Sequence, residues 1–180
     1  MNAVPDWVAV SVGDGCTIAG IWKGLKQMHE LGVIDRLPRL IAAQAAEVAP
    51  LRYAMEHDRL PPPSSGTTIA DSIDVHVPRN WRKAIHAINE SHGELIAASD
   101  DEILDAMRMA GRQGVFAEPA AAASLAAVVT AIESQIIHPN ERVLVMITGS
   151  GLKDTKNAIR AGGKPTPVEP NVDAVKAALK

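Results

Sequence analysis

The chain has 180 residues, 18 of them basic and 21 acidic, for a net charge of −3. That length is one ordinary domain with room for a substantial core, and the absence of a basic stripe argues against nucleic acid as a partner. The single cysteine, Cys16, excludes an internal disulfide, and no apolar run approaches the ~20 residues of a membrane span.

Trp7-Val8-Ala9-Val10-Ser11-Val12 is a short β-branched run that predicts a strand. A glycine turn follows, Gly13-Asp14-Gly15-Cys16-Thr17. A helix is then predicted over residues 18–31, because Ile18, Ile21, Trp22, Leu25 and Met28 fall on one face at helical spacing. Residues 39–45 read as a buried strand and 50–56 as a helix, and the prolines of Leu60-Pro61-Pro62-Pro63-Ser64-Ser65-Gly66 mark a loop. Trp81, Ala84, Ile85 and Ile88 give an amphipathic helix over 80–91; Gly93 stops it, and residues 94–98 form a short strand.

Ser99-Asp100-Asp101-Glu102 has capping-box spacing. Ile103, Leu104 and Met107 continue it as a helix that Gly114 ends. Residues 115–118 are a short strand or an extended turn. Pro119 opens a long alanine-rich helix through residue 137, at the position where a missing N–H does no harm. Residues 142–148 form the most hydrophobic strand, followed at once by a second glycine loop, Gly149-Ser150-Gly151, and a short helix from near Asp154. Beyond Gly162-Gly163 the composition turns proline-rich, with one terminal helix expected over 172–179.

Strands alternating with helices imply right-handed crossovers and a parallel sheet covered on both faces. The expectation is an α/β fold of three layers. Aromatic residues are few (three Trp, one Tyr, one Phe) and alanine is abundant, so helices should approach the sheet closely through small side chains. Ligands of such sheets bind beyond the carboxyl ends of the strands, and both glycine loops lie there.

A glycine turn between a strand and a helix presents backbone N–H groups at the positive end of the helix, so it can hold a phosphate without a basic side chain. A dinucleotide fingerprint is one comparison: Gly13 and Gly15 fit its first two glycines, but Ile18 stands at the third. Glu47, the candidate ribose acid, comes later than the usual ~20 residues after the loop. A tight turn with no ligand is the plainer alternative.

The second loop adds to this. Thr148-Gly149-Ser150-Gly151-Leu152-Lys153-Asp154 resembles the C-terminal signature of the threonine synthases, pyridoxal-phosphate enzymes sharing the tryptophan synthase β-like fold. Val12-Gly13-Asp14-Gly15-Cys16-Thr17-Ile18-Ala19-Gly20-Ile21-Trp22-Lys23-Gly24 looks like their phosphate-cradle segment, and Asp35-Arg36-Leu37-Pro38-Arg39-Leu40 like the connection that follows. Thr68-Ile69-Ala70-Asp71-Ser72-Ile73 and Phe116-Ala117-Glu118-Pro119-Ala120-Ala121-Ala122-Ala123-Ser124 resemble two further blocks in the family's order. The resemblance covers most of the chain. It implies a pyridoxal-phosphate-binding α/β domain over residues 1–163, part of the family's large domain, with a proline-rich tail over 164–180.

The roles it implies carry over by position. Gly13, Asp14, Gly15, Cys16 and Thr17 would wrap the phosphate of pyridoxal 5′-phosphate, and Thr148 would meet the pyridine nitrogen. A hydroxyl there cannot hold the ring nitrogen protonated by charge pairing, which favours elimination or replacement at the β or γ carbon over transamination. Glu118 would be a ring-side neighbour of the cofactor or an N-terminal cap for the helix begun by Pro119. Many relatives carry asparagines where this chain has Asp14 and Cys16, so Asp14 must turn outward or bond backbone amides to avoid repelling the phosphate. Cys16 is either a reactive thiol at a helix N-terminus or a packed, inert one.

The family also needs a lysine for the Schiff base, within a Ser-Phe-Lys-like segment of its N-terminal half. Here the lysines are Lys23, Lys26, Lys83, Lys153, Lys156, Lys164, Lys176 and Lys180, and none has that setting; at the position of Lys153 the family uses its residue structurally. The sequence therefore reads as a C-terminal half, without a catalytic residue of its own. The intact relative implied is a lyase forming threonine and phosphate from O-phosphohomoserine, with an amino-acid substrate, a homodimeric state and the missing half as partner. A threonine or serine dehydratase and a catalytically silent, truncated cofactor-binding fragment are the alternatives.

The six histidines have no ligand spacing and no metal site is expected. No serine sits in a nucleophile elbow, and Asp100-Asp101-Glu102 is better explained as helix-start charge. The start, Met1-Asn2-Ala3-Val4-Pro5-Asp6, lacks the basic and apolar regions of a signal peptide. With one cysteine this leads to an expectation of a soluble, cytoplasmic protein.

Overall fold

Alternation along two central strands divides the core in two. In β1 (Trp7–Ser11), Trp7 and Ala9 join one buried cluster while Val8 and Val10 join another. In β2 (Arg39–Ala45), Ile41, Ala43 and Ala45 face the first cluster, and Leu40 and Ala42 the second. Successive side chains of a strand point to opposite faces, so a strand apolar on both requires cover on both. The computed structural model, which describes residues 4–163 and 166–179, supplies that cover. Expectations that rest on residues 1–3, or on 164, 165 and 180 of the tail, lie outside the described residues.

With β3 (Glu94–Ala98) and β4 (Val143–Val145) the sheet runs β3-β2-β1-β4, every pair parallel. Trp7 lies opposite Arg39 on one side and Val143 on the other. One face carries α1 (Cys16–Glu30), α2 (Pro50–His57) and α3 (Trp81–Glu90), which contribute Ile18, Trp22, Leu51, Ala84, Ala87 and Ile88 to their cluster. The other face carries α4 (Asp100–Arg112), α5 (Pro119–Glu133) and α6 (Thr155–Gly162). This is the expected three-layer α/β arrangement. A last helix, α7 (Val172–Ala178), has no buried residue.

The alanine run of α5 lies against β1, β2 and β3, with Ala121, Ala122, Ala123 and Ala127 fully buried. Methyl side chains let the helix settle close to the sheet, so the site above it is referenced to a rigid platform. α4 starts with the anticipated capping box: Ser99 Oγ accepts from Glu102 N at 3.3 Å, and Glu102 Oε2 accepts from Ser99 N at 2.7 Å.

Several boundaries differ from the sequence reading. α1 begins at Cys16 rather than residue 18, because Gly15 takes a left-handed φ of 87° and serves as N-cap. On that helix Met28 is exposed rather than on the buried face. α5 stops at Glu133 rather than 137: Gln135 adopts φ 59°, and Ile136 and Ile137 turn back to donate to Ala131 O. Residues 115–118 are an extended turn with a single bridge, Ala117 to Ser150. The apolar run 142–148 pairs as a strand only over Val143–Val145 and forms a border of the sheet, with Leu144 48% exposed.

α1 and α3 are tied at their far ends by one carboxylate. Glu90 Oε2 accepts from Trp22 Nε1 at 2.6 Å and from Lys26 Nζ at 2.8 Å, and stands 3.1 Å from His86 Nε2. The Lys26 ammonium, then the Trp22 indole, holds the Glu90 carboxyl below its ordinary range. A carboxylate lowered by folding contributes stability that is fully present above its unfolded value and is lost as pH falls through the folded one. The acid limb of the stability profile, followed by urea unfolding below about pH 4.5, should therefore flatten in Glu90→Gln. A second expectation concerns the platform: Ala127→Leu should lower stability by about 2 kcal/mol through overpacking, while Glu133→Leu on the exposed side should change it by no more than about 0.5 kcal/mol.

Candidate functional site

The carboxyl end of β1 passes directly into the first glycine loop. Val12 N still donates to Ala43 O at 2.8 Å. From Gly13 to Ile18 the main-chain N–H groups have no protein acceptor among the described residues, and the next donor is Ala19, to Gly15 O. The loop is shaped by close approach. A Cβ at Gly13 would stand 3.0 Å from Ser72 O and 3.1 Å from Val75, and one at Gly15 would stand 3.0 Å from Ala84 Cβ on α3. Free amides at a helix N-terminus form an anion-binding concavity.

Asp14 is tied to the neighbouring helix start. Its Oδ1 accepts from Arg79 N at 3.0 Å and its carbonyl accepts from Asn80 N at 2.9 Å, so the residue is committed to the start of α3. Of the two readings of Cys16, the packed one does not hold: the thiol is exposed and receives the Asn80 side-chain amide. Thr17 is exposed beside it.

The second glycine loop is built on the segment that precedes α5. Ala117 bridges Ser150, Glu118 N donates to Gly149 O at 3.1 Å, and Gly151 N donates to Phe116 O at 2.9 Å. Gly149 and Gly151 make room for neighbouring side chains: an added Cβ would meet Glu118 Oε1 at the first and the Phe116 ring at the second, so one of them would have to shift. Glu118 occupies the N-cap position of α5, yet its side chain makes no capping bond. Its buried carboxylate instead lies against Gly149 and pairs with Lys153 Nζ, 3.4 Å away.

These pieces line one cavity of about 380 Å³, whose walls include Gly13, Asp14, Gly15, Cys16 and Thr17 with Thr148, and also Ser72, Ile73, Glu118 and Lys153. That volume suits a small organic ligand. All six residues singled out from the sequence therefore meet. Three of the resemblance blocks line the cavity with the second loop; residues 35–40 do not, and serve as the entry to β2. Ser72 and Ile73 had no assigned part. They are set by Thr68 Oγ1 donating to Asp100 Oδ1 at 2.6 Å and Ile69 N donating to Asp100 Oδ2 at 3.2 Å. Asp100 is thus an anchor for the site as well as helix-start charge. Lys153, read as structural, also faces the cavity; its place directly after the second loop was the available signal.

Among the described residues no three His, Cys, Asp or Glu side chains converge as a metal site, and no helix is long and apolar enough to cross a membrane.

Residues 1–149 match the family described as pyridoxal-phosphate dependent enzyme. The chain is 39% identical over 173 residues to the threonine synthase of Mycobacterium bovis, covering 94% of this chain and 46% of that one. It is 38% identical over 180 residues to the threonine synthase of Methanocaldococcus jannaschii, covering 98% and 44%. It thus spans just under half the length of these relatives. Among solved structures it resembles a T.th. threonine deaminase, with TM-score 0.67, 18% identity and coverage of 93% of this chain and 53% of that one. It also resembles Escherichia coli threonine synthase, with TM-score 0.65, 20% identity and coverage of 97% and 39%. At such identities these two likenesses establish the fold.

The contact between Glu118 and residue 149 can be tested by coupling. Gly149→Ala should destabilise the chain by about 2 kcal/mol, and by clearly less in a Glu118→Ala background, since neighbouring substitutions that share one contact are non-additive. Urea unfolding of the two single variants and the double variant reads the difference.

Proposed function

The chain belongs to the pyridoxal-phosphate dependent enzyme family, and on that premise we propose that it is the cofactor-gripping portion of a threonine-synthase-like lyase. The reaction of the whole enzyme would be conversion of O-phosphohomoserine to threonine and phosphate. The observation that carries this reading is the meeting of Gly13, Asp14, Gly15, Cys16 and Thr17 with Thr148 around one cavity.

The residues fit the group. The unpartnered amides from Gly13 to Ile18 offer donors to a phosphate dianion without any basic side chain. A Cβ at Gly13 would press on Ser72 and Val75 and one at Gly15 on Ala84, and Gly15 also takes a left-handed φ that favours glycine. Thr148, exposed and lining the same cavity, would offer a neutral hydroxyl to the ring nitrogen. Bound in this way, pyridoxal phosphate supplies an electron sink for carbanion chemistry. What the chain does is hold the phosphate, orient the ring and keep a full positive charge off its nitrogen.

No lysine of this sequence lies in a Ser-Phe-Lys-like segment. The amine that condenses with the cofactor aldehyde, and the groups that read the substrate phosphate, are assigned to the part of the relatives' length that this chain does not span. Turnover then requires that half, with an amino-acid substrate and a homodimeric, cytoplasmic enzyme. The gripping unit is assigned to residues 1–163, with 164–180 as a tail. A dehydratase reading draws on fold likenesses at 18% and 21% identity, whereas 39% identity supports a threonine synthase.

Spectral titration with pyridoxal phosphate tests the assignment. The unaltered chain should saturate. Thr148→Ala should weaken binding by up to about tenfold, the worth of one hydrogen bond, with a shifted absorbance band. Gly15→Asp should abolish binding while far-UV circular dichroism still reports a folded chain. Absence of saturable binding by the unaltered chain would sink the proposal.

A further inference from the structure

The cavity contains a charge arrangement that its role as a phosphate cradle does not explain. Glu118 is 4% exposed, and its carboxylate sits in the space that Gly149 leaves open. A buried carboxylate is costly without a partner, and it repels a dianion bound beside it. Among the described residues lining the cavity Lys153 is the only cation, with Nζ 3.4 Å from Oε2 and 3.5 Å from Oε1 of Glu118. The Lys153 side chain itself is 63% exposed, so it reaches inward from a surface position.

The local chain directs it there. Lys153 ends the short 3₁₀ turn Gly151–Lys153, whose start is held by Ser150 Oγ accepting from Leu152 N. Asp154, the adjacent carboxylate, is occupied: its two oxygens accept from Asn157 N at 3.0 Å and Asn157 Nδ2 at 2.7 Å, capping α6. The neighbouring anion is therefore spent on the helix, and the ammonium is left to Glu118.

We propose that Lys153 is a positioning residue for anion uptake: by neutralising Glu118 it makes the cavity able to admit a small phosphorylated ligand. The ligand itself is held by the amide cradle, and Lys153 acts on it through Glu118. This inference rests on the reading of Gly13 to Thr17 as a phosphate site.

The test uses pyridoxine phosphate and pyridoxine as probes, because neither has an aldehyde and neither can condense with a lysine amine. Affinities are measured by equilibrium dialysis for the unaltered chain, Lys153→Met, Lys153→Arg, Glu118→Gln and the Lys153→Met/Glu118→Gln double variant. Lys153→Met should weaken pyridoxine phosphate about tenfold, the effect of one neighbouring charge partly screened by solvent, and leave pyridoxine within about twofold. Lys153→Arg should bind as the unaltered chain does. Removing the carboxylate as well should return the double variant to within about threefold of it. A merely structural role would not give this rescue, nor the difference between the two probes.

Unchanged binding in Lys153→Met would overturn the inference. A double variant as weak as Lys153→Met would also overturn it, since Lys153 would then act without Glu118. If the unaltered chain binds neither probe, the phosphate-site reading falls together with it, whereas binding that ignores Lys153 removes this inference alone.

Discussion

Everything at the carboxyl edge of the sheet follows from a run of amide donors with no internal acceptor. When β1 ends, its hydrogen-bonding ladder ends with it, and α1 cannot yet satisfy its own first turn. From Gly13 to Ile18 the donors have no acceptor among the described residues, and these same residues line a cavity. Such groups are tolerated only where solvent or a ligand completes them. The surrounding chain is arranged to keep that opening: Ser72 and Val75 pack on Gly13, Ala84 on Gly15, and α3 holds Asp14 aside.

The second loop solves a different problem by similar means. Its residues lie alongside Phe116, Ala117 and Glu118 as a two-stranded ribbon of minimal length, with Thr148 on the same cavity that the cradle lines. Because α5 begins immediately after that ribbon and lies against all four strands, a shift of the loop would have to move the alanine platform too. The distance between the two ends of the cavity is therefore governed by the core rather than by loop flexibility.

Much of this was legible in the sequence. The alternation in β1 and β2, the Ser99-to-Glu102 cap and the proline opening α5 are local signals, and local signals survive folding when nothing opposes them. The two glycine loops were legible as ligand sites because strand-to-helix turns expose amides wherever they occur. What escaped were relations across long stretches of chain. That Asp14 binds the amide of Arg79, 65 residues away, and that Gly149 exists to accommodate Glu118 cannot be seen in any window of sequence. The apolar run at 142–148 also misled in length: hydropathy reports a strand's appetite for burial, not whether it has neighbours on both sides. β4 pairs with β1 alone and keeps Leu144 half exposed.

The tie between Asp14 and α3 has a thermodynamic consequence. A loop clamped at its midpoint by two main-chain amides has little conformational freedom left to surrender when something settles into it. The entropy of ordering was met when the domain folded, so an incoming anion loses mainly its own translation and tumbling. A small, rigid ligand with few atoms can then be retained by backbone alone, and its residence depends less on the identity of the loop's side chains than on the integrity of a helix they never touch in sequence.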